Sequence, residues 1–460
     1  MINKFPGEVN ELKSVLILGA GISGLGAAHV LLRHGADVLI SDLKDSVQDK
    51  KEKAALTELG ARFRFGPQSE ELLDGVDTVV VSPVIPKENP IVQAAFRKNI
   101  PVISEVELAY RVTKAPILAI TGTNGKTTTT TLLGSMVSKS GRPFALAGNL
   151  GISLSREAEL VLEDGLIAAE VSSFQLEFIK SFRPRAAVIL NITPDHLERH
   201  HTMEAYVAAK ARIFENMDEN DCLLLNADDS YTPELKKKAE SHTHVCLLST
   251  SHEVEEGAFL KGDMLTLRRK GKDIPLCTTG ELKLKGSQNY QDALAASFLA
   301  NEGGVPRDVI VAALKEFTSL PNRIEYVRTL RDVEYYNDSK ATNTDAAEKG
   351  MSAFGHPVIL IAGGYDKGTP LEEFMGEVKK HTKHLILLGA AADRFEKAAK
   401  AAGVSSIFRV SSMEEAVKKG QELAKPGDVV ILSPACSSFD MYHNMEERGM
   451  DFKRIVNRLK

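Results

Sequence analysis

The apolar run 117–120 empties into Thr121-Gly122-Thr123-Asn124-Gly125-Lys126-Thr127-Thr128, and helix-forming sequence follows. A strand, a glycine loop and a helix in immediate succession leave few folds open. The glycines let backbone N–H groups turn toward an anion, and the helix start adds partial positive charge at the same place. This is the context of a phosphate-binding loop, which belongs at the carboxyl end of a strand in a parallel sheet. There Lys126 reaches the β- and γ-phosphates of a nucleoside triphosphate, and the Thr127 hydroxyl is a Mg²⁺ ligand. The first glycine of the common GxxxxGK[ST] pattern falls at Ile120, so the loop is a TGTNGKT variant. A glycine turn that only caps a helix is the plainer alternative. The Gly-Lys-Thr triplet between strand and helix argues against it.

The same alternation runs through the chain. Apolar runs at 15–18, 38–40, 78–81 and 101–103 surround a helical stretch at 24–34. After 117–120 come strands at 166–169, 187–190 and 222–225, a polar, weakly alternating stretch at 244–285 that reads as β-hairpin material, and an Ala-rich helix at 289–300. Strands at 358–361, 385–388 and 429–432 close the series. Strands alternating with helices predict parallel sheets covered on both faces. The expectation is an α/β protein of three domains in series, which suits 460 residues. They are a Rossmann-like N-terminal domain at 1–105, a central P-loop domain of ATPase type at 106–319, and a Rossmann-like C-terminal domain at 320–460.

Composition removes several functions. A formal net charge of −5 argues against a general nucleic-acid binder, and the absence of Trp argues against base-stacking platforms. Cys222, Cys246, Cys277 and Cys436 form no CxxC pair, so the spacing implies neither a zinc site nor a disulfide framework; small buried hydrophobes are expected. The polar opening residues contain no signal-peptide core, and no apolar run reaches the ~18 residues of a membrane span. A cytoplasmic chain is expected.

Gly19-Ala20-Gly21-Ile22-Ser23-Gly24 matches GxGxxG between a strand and a helix, and Asp42 ends the next strand 18 residues after Gly24. Alone this pattern says NAD or FAD. Physically it demands only a pyrophosphate and a ribose, which a UDP-sugar also carries. A nucleotide-diphosphate site of open identity is the reading; a nicotinamide oxidoreductase is the alternative.

Three features follow the phosphate loop. Glu170 ends the strand 166–169, where an acid can hold Mg²⁺ on phosphates. His196, in Asn191-Ile192-Thr193-Pro194-Asp195-His196, follows the strand 187–190 and could ligate a second metal or touch substrate. Lys210 lies in helix-forming sequence, and spacing gives it no function. A surface acid, a helix-start histidine and a solvated lysine are the bland counterparts. Near the C-terminus three polar loops leave strand ends on one expected sheet edge: 336–343, 363–368 and 433–440. The first has six polar residues in eight positions. Turn formation explains their glycines but not the repeated Lys, Ser and Asp.

Together TGTNGKT, EVSSFQLE, TPDHLERH, YVAAKARIFEN, NDSKATN and SPACSSFD, in this order, resemble the Mur ligase family, and within it the D-glutamate-adding branch. The resemblance covers essentially the whole chain. It implies an ATP-dependent ligase that joins D-glutamate to UDP-N-acetylmuramoyl-L-alanine through an acyl phosphate in peptidoglycan precursor synthesis, with two Mg²⁺ ions, as a monomer. It implies UDP-substrate contacts at Ile22, Ser23, Asp42, Ser82, Asn149, Ser172 and Gln175. ATP contacts are implied at Gly122, Thr123, Asn124, Gly125, Lys126, Thr127, Thr128, Asn289, Asp292, Arg323, Asp338 and Lys340. D-glutamate contacts are implied at Thr342, Lys367, Ser438 and Phe439. Metal ligands are implied at Thr127, Glu170, His196 and Lys210, the last as a carbamate, and catalytic roles at Lys126, His196 and Lys210.

Four positions depart from the family pattern: Val84 replaces a Gly in the SPGIP loop, Gln288 and Asp292 replace a His and an Asn at the adenine site, and Asn322 replaces the His before the ATP-binding Arg. Folylpolyglutamate-type and L-lysine- or diaminopimelate-adding ligases are alternatives within the reaction type. A nucleotide sensor without activity is one outside it.

Overall fold

A computed structural model describes residues 9–45, 47, 50–284, 286–318, 321–366 and 368–460. Two compact units emerge. The first holds 1–278 and 291–315, the second 279–290 and 316–460.

The first unit contains two sheets. In one, β1 (Ser14–Leu18), β2 (Asp37–Asp42), β3 (Arg62–Phe65), β4 (Thr78–Val81) and β5 (Val102–Ser104) pair in parallel in the order β3-β2-β1-β4-β5. Strand order reverses at β1, so a crevice opens beyond Leu18 and Val81, where α/β sheets bind ligands. The other sheet is built on β6 (Ile117–Thr121), β7 (Phe144–Gly148), β8 (Leu166–Glu170), β9 (Ala186–Ile189), β10 (Cys222–Asn226) and β11 (His244–Ser249). These strands are parallel in the order β11-β10-β9-β6-β8-β7. β6, β8, β9 and β10 are buried along their whole length, as strands covered on both faces must be. β12 (Gly257–Lys261), β13 (Met264–Arg269) and β14 (Lys272–Thr278) extend the edge, β12 parallel to β11 and the last two antiparallel. The 244–285 stretch is thus hairpin only from β12 onward; β11 belongs to the parallel sheet. The Ala-rich helix spans Ser287–Glu302.

The second unit carries β15 (Glu325–Leu330), β16 (Val333–Asn337), β17 (Val358–Ala362), β18 (Thr382–Leu387), β19 (Ile407–Arg409) and β20 (Val429–Leu432), in the order β15-β16-β20-β17-β18-β19. Only β15 is antiparallel. The loops after β16, β17 and β20 therefore leave the same edge, as their sequence predicted. No helix among the described residues is long and apolar enough to cross a membrane.

Candidate active site

The phosphate loop sits at the carboxyl end of β6, and the helix Lys126–Lys139 starts with Lys126. Gly125 holds φ +85°, and a Cβ on Gly122 would come within 3.0 Å of Leu190, so both glycines are required by the turn. Asn191 clamps the loop from β9's end. Its Oδ1 accepts the Asn124 N–H (2.8 Å), its Nδ2 donates to the Asn124 carbonyl (3.2 Å), and its own carbonyl accepts the Thr123 N–H (2.9 Å). Thr123 Oγ1 accepts the Thr193 N–H (3.0 Å) and lies 3.2 Å from the Tyr206 hydroxyl.

Lys126 Nζ donates to the Gly122 and Thr123 carbonyls (2.9 and 2.8 Å). Lys210 Nζ donates to the same Gly122 carbonyl at 2.7 Å from a buried position on the helix Met203–Ala211. Burial, then the Lys126 charge, holds the Lys210 amine well below the ordinary lysine range. A lysine that spacing alone left without a role is thus brought against the phosphate loop.

β6 and β8 pair so that Ile120 lies opposite Glu170. Glu170 is buried. Its Oε1 accepts from Asn149 Nδ2 (2.9 Å), and its Oε2 has no hydrogen-bond partner among the described residues. A buried, unpartnered carboxylate oxygen beside Thr127's helix start fits a hard, oxygen-seeking cation. His196 lies in left-handed backbone (φ +54°), with its ring half-exposed against Phe174 at 4.9 Å. His200 is instead buried on Ser173 Oγ (2.9 Å), and burial followed by the Arg199 charge pushes it down to about 4.

At the first crevice, Asp42 Oδ2 accepts the Ala20 N–H (2.9 Å), and Ser82 Oγ donates to the Gly19 carbonyl (3.3 Å). Ile22 is 59% exposed and lines a cleft of about 540 Å³ with Gly21, Leu25, Gly151, Ile152 and Arg156; Ser23, next to it, is half-buried. Ser172 and Gln175 are committed to each other in a capping box. The 82–86 loop is held by Arg199, whose guanidinium donates to the carbonyls of Pro83, Val84 and Ile85 (3.2, 3.2 and 3.0 Å) and pairs with Glu177 (2.7 Å). The Val84 side chain points to solvent, 75% exposed, so the departure from Gly there needs no room inside.

In the second unit Asp338 is buried. It accepts from Ser433 Oγ (2.7 Å) and the Ile324 N–H (3.2 Å), and burial pushes its carboxyl up to about 7. Arg323 carries a buried Nε without a hydrogen-bond partner among the described residues. Asn322 accepts at Oδ1 from Asn337 Nδ2 (2.8 Å), a structural role in its own right. The loops after β16 and β20 are stitched by Arg448, which donates to Ser339 Oγ, Ser339 O, Cys436 O and Ser437 O within 3.2 Å. Lys340 and Thr342 follow in the first loop, with the Thr342 N–H on the Lys340 carbonyl; in the second, Ser438 is buried and Phe439 is 71% exposed. Lys367 lies outside the described residues. Asn289 and Asp292 are both buried on the helix Ser287–Glu302.

Sequence reasoning missed Asn191, Arg199 and Arg448 as site residues. Asn191 and Arg199 lie in the stretch read for His196, but hydrogen bonds to distant carbonyls and amides leave no periodic signal. Arg448 sits in a charged helix whose pattern looks like a solvated face.

Residues 13–104 match the Mur ligase MurD-like N-terminal domain, 120–300 the Mur ligase middle domain, and 322–436 the Mur ligase glutamate ligase domain. The chain is 44% identical over 450 residues to the UDP-N-acetylmuramoylalanine–D-glutamate ligase of Thermoanaerobacter sp. (strain X514), covering 97% of this chain and 99% of that protein.

The chain is a Mur ligase.

The ligase of the same name from Caldanaerobacter subterraneus is 43% identical over 455 residues, covering 98% of this chain and all of that protein. Among solved structures, a pseudomurein peptide ligase type C from Methanothermus fervidus aligns with TM-score 0.60 at 18% identity, covering 97% of this chain and all of that one. The MurF ligase of Thermotoga maritima in complex with ADP aligns with TM-score 0.59 at 17% identity, covering 98% of this chain and 97% of that one. These two support the fold. As a Mur ligase, the protein is an ATP-dependent, ADP-forming ligase of three-domain architecture.

Proposed function

We propose that this Mur ligase joins D-glutamate to UDP-N-acetylmuramoyl-L-alanine during peptidoglycan precursor synthesis. The carrying observation is the pairing of the phosphate loop with Glu170, whose buried oxygen lacks a partner one strand away. The near-full-length relatives named for this reaction give the substrate identity.

The substrate carboxylate attacks the γ-phosphate of ATP, and ADP leaves. The resulting acyl phosphate is attacked by the D-glutamate amine, and the tetrahedral adduct expels phosphate as the amide forms. Residues 122–128 orient the phosphates through backbone N–H groups, and Lys126 leaves its loop carbonyls to meet the β- and γ-phosphates. Asn191 keeps that loop in shape. Ile22, Ser23, Asp42, Ser82 and Asn149 hold the sugar nucleotide, with Ser172 and Gln175 shaping the adjoining turn. Asn289, Asp292, Arg323, Asp338 and Lys340 contact ATP; Thr342, Lys367, Ser438 and Phe439 contact D-glutamate. Positioning two anions for reaction is the main work of such a site.

Thr127, Glu170, His196 and a carbamylated Lys210 would hold two Mg²⁺ ions, which offset charge repulsion between carboxylate and triphosphate when bound. Burial disfavours the protonated amine, and the neutral amine is the form that reacts with CO₂, so Lys210's environment favours the carbamate. The domain limits read from the sequence (1–105, 106–319, 320–460), a cytoplasmic location, a monomeric state and a role in cell shape and division belong to the same proposal.

Phosphate release with UDP-N-acetylmuramoyl-L-alanine and a panel of amino acids tests it. D-glutamate should support release. Release with L-lysine or diaminopimelate and none with D-glutamate would reject the substrate assignment.

A further inference from the structure

At the edge of the central sheet opposite the phosphate loop, three side chains with metal-binding atoms converge. Cys222 and His244 are the first residues of β10 and β11 and face each other in register; Cys246 lies two residues on, opposite Leu224. Residues two apart on a strand share a face, so His244 and Cys246 point the same way. One ligand atom from each of Cys222, His244 and Cys246 lies within 4.8 Å of the others. The two sulfurs stand 3.5 Å apart. That is far beyond the ~2.05 Å of a disulfide. It is close to the ~3.8 Å edge of a tetrahedron with two sulfurs at ~2.3 Å from zinc. Both thiols are buried, while the His244 side chain is 45% exposed and gives the site an opening.

A cation already probes the site. Arg269 Nη1 lies 3.0 Å from Cys246 Sγ, 3.4 Å from His244 Nε2 and 2.7 Å from Glu256 Oε1. Sulfur, nitrogen and carboxylate oxygen thus surround one positive group. Arg269 has a second hold on Glu302, at 2.9 and 3.1 Å, and lies over Phe298. It can leave the Cys246 sulfur and still keep Glu302 as an anionic partner. Glu256 Oε2 is 3.1 Å from the same His244 Nε2, so a carboxylate lies beside the imidazole.

We infer that Cys222, Cys246 and His244 form a site for a soft divalent cation of the zinc type, with the fourth position open to solvent. Two sulfurs and one imidazole select zinc-like ions over Mg²⁺, which needs oxygen ligands. The hydrogen bond to Cys246, and burial, raise the Cys222 thiol. Each ion bound then forms two metal–sulfur bonds and one metal–nitrogen bond and releases the two thiol protons to solvent. The ion ties β10 to β11. The catalytic edge lies at the other end of these parallel strands, so this site stands independently of the ligase reaction.

Cobalt(II) added to the reduced full-length protein is the test, read as sulfur-to-metal charge-transfer absorption, because a magnesium site occupied by cobalt gives no such band. The wild type should develop the band to saturation at one equivalent and lose it when zinc is added. Cys222→Ser should abolish it. His244→Ala, at a position exposed enough to leave the core intact, should weaken cobalt binding at least about tenfold. No band in the wild type, or a band unchanged in both variants, overturns the site.

Discussion

Arg199→Ala isolates one brace between the two sheets of the first unit. The Arg199 side chain is 13% exposed and its partner Glu177 9%. The substitution removes two contacts to that carboxylate (2.7 and 3.2 Å), three to the carbonyls of 83–85, and a stack on Phe174 at 4.6 Å. The carbonyls lie beside an exposed Val84 and regain water, so they contribute little. Glu177 cannot, and an uncompensated buried charge costs about 3–5 kcal/mol. At about 2 °C per kcal/mol for a large body, unfolding should fall by about 6–10 °C. The loop that Arg199 holds also carries Ser82, so KM for the sugar nucleotide should rise several-fold while KM for ATP stays put. Arg199→Ala with Glu177→Gln should recover part of the stability but not the KM. The assays are thermal unfolding and steady-state phosphate release. An Arg199→Ala protein that unfolds within about 2 °C of wild type, with KM unchanged, would refute the brace.

Lys126→Ala should abolish phosphate release while leaving the far-UV circular dichroism of the fold unchanged; full turnover would remove the phosphate-loop assignment. Lys210→Met should be inactive yet more stable in metal-free buffer, since a buried amine is replaced and Lys126 still satisfies the Gly122 carbonyl. With the folded amine lowered, the unfolded state binds more protons just below its own pKa, so this gain shrinks as pH rises toward about 10.4 in urea titrations. Asp338 runs the other way: with its folded carboxyl near 7, the native state holds more protons than the unfolded one, and stability falls as pH rises from about 4 to about 7. Asp338→Asn should flatten that fall in a series of urea melts across the same range.

The legible part of this protein was whatever repeats or follows directly in sequence. Buried strands such as β6, β8 and β10 read as unbroken apolar runs, and the glycine loop after β6 marked both sheet edge and ligand. Short or alternating edge strands were missed: Arg62–Phe65 alternates apolar with basic residues, and Ile407–Arg409 spans three positions. Lys210 shows the other limit. Its sequence neighbours describe an ordinary helix, and only the packing of that helix on the phosphate loop buries the amine. The Cys222, His244 and Cys246 group has no motif spacing; the register of β10 with β11 creates it. Arg448 serves four acceptors on two loops far apart in sequence, which no local pattern encodes.

In the proposed reaction the sugar-nucleotide carboxylate is activated by the triphosphate held on Lys126 and the glycine loop. This activation is tested most directly by labelling that carboxylate with heavy oxygen and analysing the phosphate released in the presence of D-glutamate. Activation through an acyl phosphate predicts one labelled oxygen in each phosphate formed. Amide formed together with phosphate free of label, the displaced heavy oxygen appearing in water or AMP, would contradict it.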